Sequence, residues 1–547
     1  MKHEIELRVE PRVACSGELL AKAATRALGI EGVRGVQVLR RGIDARSPGV
    51  MIDLRVRVYV DEEPEPVSFE RVVYPDVTGC RQVVIVGAGP AGLFAALRLI
   101  EKGIRPIIAE RGKNVHERRK DVALSSRSGV VDPESNLSFG EGGAGAFSDG
   151  KLFTRSTKRG DVGKILRVLC QHGADPGILV DAHPHIGTDR LPQVVERLRQ
   201  TITGCGGEVI FGTRVDSLLI DEKVGRVLGV RTSDGREILG PVILATGGAA
   251  RDVFRFLYAQ GVRLEAKDLA IGLRLEHPAR LIDRIMYHSD EGRGAYLPAA
   301  EYRMVSQEDE RGVYSFCMCP GGSVVSTSSG REQLVVNGMS PSGRNGRWSN
   351  SGMVVETHVE DLSNPDLHSF VENNLGQSDR EWFASQGLAW WQSCLSMTAL
   401  QAALERRAWL EGGETQAAPA QRMDDFVNNR RSWTLASSSY SAGLTPSRLD
   451  RWLPSFFAAR LQRGLGFFGR RYRGFLTNQA LLIGVETRTS SPVRILRDPR
   501  SFQHPTLSGL FPCGEGAGYA GGIVSAAVDG ENCADALSSM LDGTASS

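Results

Sequence analysis

The sequence predicts an α/β protein of several domains, built around a parallel sheet. First, the 547 residues exceed what one hydrophobic core usually holds, so two to four domains are expected. Second, a strand, a glycine-rich turn, a helix and another strand follow one another from residue 81. Third, helix and strand patterns resume further along the chain, up to a last glycine-rich turn and helix. This order is typical of parallel sheets with helical crossovers.

Composition narrows the range of partners. Hydrophobic residues make up 41% and charged residues 24%, as in ordinary soluble globular proteins. The net charge of +2 creates no global field that would attract nucleic acid or an anionic membrane. We therefore expect a small-molecule substrate, no nucleic-acid partner and no membrane partner, with the oligomeric state left open. The nine scattered cysteines and the absence of an apolar leader pattern at the start favour a cytoplasmic location.

Residues 1–80 read as a separate small α+β domain. "IELRVE" alternates as a strand does, and "SGELLAKAATRAL" combines a Ser cap with apolar residues at helical spacing. "VQVLRRGIDA" and "VMIDLRVRVYV" then alternate again. The pattern predicts a β-α-β-β unit, and it contains no obvious chemistry.

The stretch "VVIVGAGPAGLFAALRLI", residues 83 to 100, has two interpretations. Its eighteen residues contain one Arg and no acid, which is long enough for a membrane span. It also contains G-x-G-x-x-G at Gly87, Gly89 and Gly92, where the glycines allow a tight turn, a close phosphate and a close helix. A membrane helix would not stop, turn at Gly103 and become the strand "RPIIAE". The stretch therefore predicts a dinucleotide site.

An acid completes this motif. Glu110 lies eighteen residues after Gly92, at the end of the second strand, where it can accept hydrogen bonds from the adenosine ribose hydroxyls. A lone G-x-G-x-x-G is weak, but strand, glycines, helix, strand and acid occur here in order. An unrelated α/β crossover is the weaker alternative.

Two later stretches indicate that the dinucleotide is FAD. "VILATGG" (242–248) is a hydrophobic strand ending in small residues, and "GLFPCGEGAGYAGGIVSAAVDG" (509–530) places an acid in a glycine loop before a helix. A long cofactor held extended needs such a second loop near its flavin end. Glu515 is placed to accept from the ribityl hydroxyls. The amides of Gly521, Gly522 and Ile523, at a helix N-terminus, would face flavin N1 and O2.

These motifs together resemble the FAD-binding fold of the glutathione-reductase-like flavoproteins. Four further strings, "FGEGGAGAFSDGKLFTR" (139–155), "FCMCPGG" (316–322), "VVNGMS" (335–340) and "GVETRTSSPVRI" (484–495), resemble a bacterial and plastid family of FAD-dependent dehydrogenases, mostly of unknown substrate. The resemblance covers essentially the whole chain and is weakest in the N-terminal unit. It implies a flavoprotein oxidoreductase but no particular substrate.

The expected layout has three domains. After the N-terminal domain comes a discontinuous glutathione-reductase-like Rossmann FAD domain, a parallel sheet with a β-meander, at 81–255 and 501–547. A mixed α+β substrate domain is inserted at 256–500. The predicted FAD-contacting residues are Gly87, Gly89, Pro90, Ala91, Gly92, Glu110, Arg111, Gly142, Gly143, Lys151, Thr246, Gly247, Gly514, Glu515, Gly521, Gly522 and Ile523.

Candidate catalytic residues fall in three places, each with a structural alternative. Cys317 is either a reactive thiol beside the flavin or, with Cys319, a small buried residue on a strand. Glu486 and Arg488 either handle the substrate or form one buried network at a domain interface. Tyr519, in the late glycine loop, either stacks on the flavin or donates a proton, or it simply packs.

Two other pairs of residues give weaker evidence about function. Asp149 and Lys151, in the glycine-rich string, either position a substrate or pair with each other. His183 and His185 lie two residues apart with no Cys or acid pattern to complete a zinc site, so no metal is predicted.

Three functions compete. The first is a flavin dehydrogenase or reductase that moves a hydride between a substrate and flavin N5. Because no second strand-G-x-G-x-x-G-helix unit occurs, NAD(P)H would act only as a transient reductant. The second is a flavin-dependent monooxygenase that uses NAD(P)H and oxygen. The third is a non-redox protein in which FAD is structural.

Overall fold

The computed structural model describes residues 1–65, 68–154 and 157–545. Arg155, the last residue of the string 139–155, lies outside these ranges. No helix within them is long and apolar enough to cross a membrane. The stretch 83–100 divides between a strand and a helix, as the glycine motif predicts.

The N-terminal domain is a three-stranded antiparallel sheet with helices on one side. Ser16 caps the longer helix by accepting from the Leu19 N–H at 3.3 Å, and Gly29 ends it at φ +67°. The sheet order is β1-β3-β2. The elements are β1 (Lys2–Val9), α1 (Pro11–Ala14), α2 (Gly17–Leu28), β2 (Val33–Asp44) and β3 (Met51–Val60). This is the β-α-β-β pattern predicted from the alternation, with an extra helical turn.

Residue 82 opens the second unit, in which strands alternate with helices. Its first strand is continuously buried, as expected of a parallel strand with both faces covered. The elements of its first part are β4 (Gln82–Val86), α3 (Pro90–Glu101), β5 (Arg105–Ala109), α4 (Val115–Ser128), α5 (Val162–Gln171), α6 (Leu191–Gly204) and β6 (Glu208–Ile210).

A three-stranded antiparallel meander follows, with order β7-β8-β9 and a tight turn at Asp234 and Gly235. Its strands are β7 (Val215–Asp221), β8 (Arg226–Thr232) and β9 (Glu237–Leu239). The chain then returns to the first sheet in β10 (Val242–Leu244) and leaves it through α7 (Arg251–Ala259).

The inserted segment centres on a seven-stranded mixed sheet. The first half has β11 (Leu264–Ala266), β12 (Leu269–Pro278), α8 (Ala279–Met286), β13 (Val305–Glu308), β14 (Arg311–Cys319), β15 (Ser323–Ser326), β16 (Val336–Met339) and β17 (Trp348–Thr357). The second half has α9 (Pro365–Asn374), α10 (Gln377–Ser385), α11 (Ser396–Glu411), β18 (Ala418–Arg422), α12 (Met423–Val427), β19 (Leu444–Pro446), α13 (Leu449–Trp452), α14 (Ser455–Arg471), β20 (Leu481–Glu486) and β21 (Val493–Ile495).

The strand order of this sheet brings distant segments together. It runs β13-β14-β17-β12-β20-β18-β19, so β12 lies at the centre between β17 and β20. Arg274 on β12 and Glu486 on β20 therefore lie on neighbouring strands, although 212 residues separate them in sequence. Short 3-10 turns occur at Gly143–Gly145, Thr157–Arg159, Pro176–Leu179, Val359–Ser363 and Trp390–Gln392.

The chain ends by completing the first sheet with β22 (Leu510–Pro512) and then α15 (Ile523–Ala545). The five strands are all parallel, in the order β22-β10-β4-β5-β6. Helix α15 lies against α3 so closely that a Cβ at Gly530 would come 2.2 Å from the Ala91 carbonyl oxygen. Strands from both sides of the insertion thus share one sheet, whose carboxyl edge collects all three glycine motifs.

Candidate functional site

The early glycine turn lies directly against the segment that follows β10. Gly87 adopts φ +104°, and a Cβ there would lie 2.5 Å from the Ala245 carbonyl oxygen. Such a contact is too short for any side chain, so only glycine fits. A Cβ at Gly89 would meet only the Cα of Gly143, at 3.9 Å, which leaves the space in front of the α3 N-terminus open. An open helix N-terminus can accept a phosphate group.

Glu110 joins three segments at this edge of the sheet. One carboxylate oxygen accepts the Ala88 N–H at 2.8 Å, and the other accepts the N–H groups of Gly112 at 2.9 Å and Gly140 at 3.0 Å. The side chain is 5% exposed. Glu110 therefore holds the early turn to the loop at 139–145, a role that the sequence did not suggest. The predicted contact with a ribose would have to use the remaining lone pairs.

The loop at 139–145 is also held by Arg118, which sequence reasoning missed. Its guanidinium is fully buried and donates to the carbonyl oxygens of Asn136, Gly140 and Glu141 at 2.8, 3.2 and 2.6 Å. Burial lowers the pKa of Arg118 to about 10. Arg118 thus fixes the backbone at Gly142, the start of the short turn that lies against Gly89.

The late glycine loop (514–523) contacts both α3 and the segment that follows β10. A Cβ at Gly514 would lie 2.8 Å from the Ala91 Cβ, and one at Gly516 would lie 2.6 Å from the Gly247 carbonyl oxygen. A Cβ at Gly145 would touch both Ile523, at 3.2 Å, and Pro90, at 3.7 Å. The first residues of α3 and α15 therefore meet across one glycine. We call the space bordered by 87–92, 142–145, 245–248 and 514–523 the glycine groove.

Several polar groups in the glycine groove have no partner among the described residues. The Thr246 Oγ1 is buried without a hydrogen bond. Glu515 makes no side-chain hydrogen bond or ion pair that the described structure shows, and burial raises its pKa to about 7, despite an opposing effect of Lys267. A Cβ at Gly521 or Gly522 would meet nothing within 4 Å. These are the features of a binding groove whose ligand carries hydroxyl groups.

Two predicted contacts are partly engaged by the protein itself. The Gly521 N–H donates to the Ser525 Oγ at 3.1 Å, so its amide serves the start of α15. Arg111 pairs with Glu134 at 2.9 Å and with Asp252 at 3.0 Å, and its guanidinium lies over the Phe139 ring. The hydrogen-bonding capacity of both residues is thus already partly used.

Lys151 does not lie with the glycines but beside the cysteines. Its Nζ is 3.9 Å from the Cys317 Sγ and 3.6 Å from Asp149, and it also donates to the Met318 carbonyl. Arg274 donates to the Cys317 carbonyl at 2.8 Å and approaches the Cys319 Sγ at 3.4 Å. We call Lys151, Arg274, Cys317, Cys319 and Glu486 the thiol cluster.

The thiol cluster favours a charged Cys317. Its pKa lies well below the usual value because the neighbouring Cys319 thiol and the cations of Lys151 and Arg274 together outweigh burial. Cys317 is partly exposed and adopts φ +44°, whereas Cys319 is buried with a raised pKa. The charge on Cys317 also contributes to the raised pKa of Glu515.

The structure divides the predicted pair of Glu486 and Arg488 between two networks. Glu486 accepts from Arg274 with both oxygens at 2.9 Å, and burial raises its pKa to about 7. Arg488 instead donates to Glu405 at 2.9 and 3.1 Å, and Glu405 also binds Arg251 at 2.8 Å. The predicted Glu486–Arg488 network is therefore wrong in its partners, because the sheet register pairs Glu486 with β12.

In the structure, Tyr519 packs against Arg497. Its hydroxyl accepts the Arg497 backbone N–H at 3.1 Å, and its ring lies 3.8 Å below the Arg497 guanidinium. Arg497 also pairs with Asp529 at 2.6 Å, and Asp529 accepts the Gly514 N–H at 2.8 Å. This chain of contacts anchors the late loop from behind.

Cys513, Asp529 and Cys533 bring three possible ligand atoms within 4.8 Å of one another. The Arg497 guanidinium already occupies the cationic position, since it lies 3.4 Å from the Cys533 Sγ and forms an ion pair with Asp529. We therefore do not assign a metal to this group. Sequence spacing gave no signal for it, because twenty residues separate the two thiols.

The fold and the glycine groove together define an FAD-binding α/β protein, a flavoprotein. Residues 81–143 match the family described as FAD binding domain, and residues 268–489 match the family described as FAD-dependent protein, C-terminal domain-like. Residues 1–59 match a domain of unknown function.

The chain is 36% identical over 531 residues to an uncharacterized protein of Clostridium beijerinckii, with 94% of each chain covered, and it belongs to the same family as that protein. It is 29% identical over 149 residues to a thiamine thiazole synthase of Sulfolobus acidocaldarius, covering 27% of this chain and 43% of that one.

Among solved structures, a geranylgeranyl bacteriochlorophyll reductase-like protein of Thermoplasma acidophilum is similar, at 13% identity and a TM-score of 0.34. That match covers 85% of this chain and 80% of the other. A likeness so distant carries no argument about function.

Proposed function

We propose that the protein is an FAD-dependent oxidoreductase in which flavin N5, when FAD is bound, exchanges a hydride with a small-molecule substrate. The observation that carries the proposal is the meeting of two helix N-termini and an unpartnered acid, Glu515, in the glycine groove. The partly exposed Cys317, held as a thiolate, adds a group that can carry a proton. We also propose the glutathione-reductase-like subclass, the domain limits 81–255, 256–500 and 501–547, and NAD(P)H as a transient reductant.

The residues of the glycine groove fit FAD. The open space before Gly89 and Pro90 suits a diphosphate, because a helix N-terminus supplies N–H donors and a favourable dipole. Thr246 offers a buried hydroxyl without a partner, and Glu515 offers a carboxyl group without one. The N–H groups of Gly522 and Ile523, at the start of α15, complete the late end of the groove. Each of these groups needs a polar ligand to satisfy it.

Cys317 is the residue that we propose to move the proton. As a thiolate it can take a proton from a substrate O–H or N–H group while the hydride leaves the neighbouring carbon, and as a thiol it can return that proton. Lys151 stabilises the thiolate from 3.9 Å, and Arg274 orients the strand through the Cys317 carbonyl. Glu486 acts only through Arg274, so it is a positioning residue.

The test compares two glycine-to-alanine variants for FAD binding. Gly89 has φ −76°, which alanine adopts freely, and its Cβ would meet no protein atom closer than 3.9 Å, so Gly89→Ala should fold normally. The new methyl group would keep a diphosphate from the α3 N-terminus. Losing one or two charge-assisted hydrogen bonds costs about 2–4 kcal/mol, so we expect FAD to bind at least about 30-fold more weakly.

Gly204→Ala is the matched control, because a Cβ at Gly204, the last residue of α6, would meet nothing within 4 Å. The readouts are flavin absorbance after purification and the rise in melting temperature on adding FAD to the stripped protein. Equal flavin content in both variants would contradict the groove assignment. A different result would contradict the oxidoreductase proposal instead. In that case the protein binds flavin, but neither NADH, NADPH nor any tested substrate reduces it, and the dithionite-reduced flavin transfers its electrons to no acceptor.

A further inference from the structure

A second cavity, of about 700 Å³, lies at the end of β12, away from the glycine groove. It is formed by the start of α8, the loop before β17, the end of β18 and two loops near residues 436 and 479. None of its lining residues belongs to the glycine groove. Its cationic lining residues, which define what we call the arginine pocket, are Arg280, Arg293, Arg344, Arg347 and Arg422.

Two of these arginines are neutralised by acids. Arg344 is buried and pairs with Asp149 and with Glu301 at 2.6 Å. Arg293 lies 3.7 Å from Asp283 and otherwise donates to neutral oxygens. Two carboxylates line the pocket: Asp283 is thus already shared with Arg293, and Glu291 is exposed.

The other three arginines have no carboxylate within 4.0 Å in the described part of the chain. Arg280 and Arg347 are exposed, and Arg347 lies over the Trp348 ring at 5.6 Å. Arg422 is oriented but not neutralised, because it donates to the carbonyl oxygens of Thr434 at 2.7 Å and Asn478 at 2.6 Å. Three guanidinium groups without counter-charge around one concavity favour an anionic ligand.

The start of α8 adds to the positive electrostatic potential of the arginine pocket. Helix α8 (Ala279–Met286) has no acid in its first turn, and its N-cap, Pro278, has no side-chain hydrogen bond. Both residues that begin the helix, Ala279 and Arg280, line the pocket. The positive end of the helix dipole therefore acts together with the guanidinium groups.

We propose that the arginine pocket binds a phosphorylated small molecule of about mononucleotide size. Guanidinium groups recognise phosphate through paired hydrogen bonds, which distinguishes this chemistry from that of a single carboxylate. The volume falls within the range of small-molecule sites. Trp348, Pro278 and Ala436 supply an apolar wall on which a ring can pack.

The arginine pocket is connected to the thiol cluster through buried charges. Arg344 lines the pocket and binds Asp149 with two nitrogens, one at 3.1 Å, and Asp149 lies 3.6 Å from the Lys151 Nζ. Lys151 in turn faces Cys317. A phosphate next to Arg344 would therefore be connected through Arg344, Asp149 and Lys151 to Cys317, the group that we propose to carry the proton.

The test measures ligand binding to the flavin-loaded protein by calorimetry, so it does not depend on turnover. The probes are ADP, inorganic pyrophosphate and adenosine, without divalent metal. The variant is Arg280→Gln/Arg347→Gln, and the matched control is Arg34→Gln/Arg119→Gln, two exposed arginines outside the pocket for which the structure shows no partner. We expect ADP or pyrophosphate to bind below about 1 mM, and the pocket variant to weaken this by about tenfold or more per guanidinium.

The outcomes separate the possible sources of the phosphate. Pyrophosphate binding as well as ADP would indicate a phosphorylated substrate or free phosphate, and ADP binding about tenfold more tightly would indicate a nucleotide. Adenosine binding as tightly as ADP would overturn the proposal, as would undetectable binding of all probes. Equal weakening in the control variant would also overturn it, since that would show only a non-specific charge effect.

Discussion

The pairing of Lys151 with Cys317 makes the sharpest prediction about the chemistry of the site. We expect Lys151→Met to raise the pKa of the Cys317 thiol and to slow its reaction at neutral pH. The Nζ lies 3.9 Å from the Sγ, and the pKa of Lys151 is itself raised, because the charges of Cys317 and Asp149 act against burial. Methionine keeps the length of the side chain and removes the charge together with the hydrogen bond to the Met318 carbonyl.

The distance sets the size of the effect. Two unit charges at 3.9 Å interact by about 4 kcal/mol at an effective dielectric constant of about 20, which corresponds to about 3 pKa units. Cys317 is partly exposed, so solvent reduces this. Arg274 and the neighbouring Cys319 thiol remain in the variant and keep part of the lowering of the Cys317 pKa. We therefore expect a rise of about 1–3 units.

The assay is the pH dependence of iodoacetamide alkylation at Cys317, followed by peptide mass spectrometry between pH 5 and 10. Cys15 and Cys80 are exposed and are replaced by serine in every variant. Lys120→Met, an exposed lysine on α4, is the control. Stripped and flavin-loaded protein are compared, because a flavin in the groove should shield the thiol.

The same midpoint of alkylation in Lys151→Met and in the control would refute this reasoning. It would mean that the ammonium group does not stabilise the thiolate, and Cys317 would then be a structural thiol as in the alternative interpretation. A midpoint that rises with Lys151→Met, and protection by FAD, would together support a thiolate at the flavin end of the groove.

Two further predictions concern stability. In protein stripped of flavin, the pKa of Glu515 is about 7, compared with 4.5 in the unfolded chain. Because the folded state binds more protons between these two values, its stability should fall as the pH rises from about 4.5 to 7. The melting temperature of Glu515→Gln should fall less over that range. Glu405→Gln leaves Arg251 and Arg488 buried with less counter-charge and should lower the free energy of unfolding in urea by about 3–5 kcal/mol, whereas Glu332→Gln, in an exposed pair, should change it by less than about 1 kcal/mol. An equal pH slope in the first case, or equal midpoints in the second, would contradict the respective burial argument.

Much of the fold was predictable because it depends on local patterns. The alternation in residues 1–60 and the glycines after β4 report backbone geometry directly, since only certain residues allow a strand, a cap or a tight turn. The meander was visible from its Asp-Gly turn at Asp234 and Gly235. The glycine groove followed from the same logic, since Gly87 and Gly516 are each required by one close backbone contact.

The catalytic side was not predictable in the same way. Glu486 and Arg488 are two residues apart, and this proximity suggested a shared network, yet they form ion pairs with different partners. Their ion pairs reach back to β12 and α11. Lys151 likewise faces a cysteine 166 residues further along the chain. No local pattern encodes such a partner, because the strand order of the seven-stranded sheet decides it.

The sequence by itself determined the class of the protein: a strand, a glycine turn and a helix that must hold a dinucleotide, repeated in reduced form near the end of the chain. It could do so because glycine positions and hydrophobic periods act on the backbone within a few residues. Only the tertiary structure decided which charges meet, because buried ion pairs form between strands that are neighbours in space and not in sequence. That is why Cys317 lies beside a cation, why the Tyr519 ring packs on Arg497, and why arginines from several segments surround one pocket.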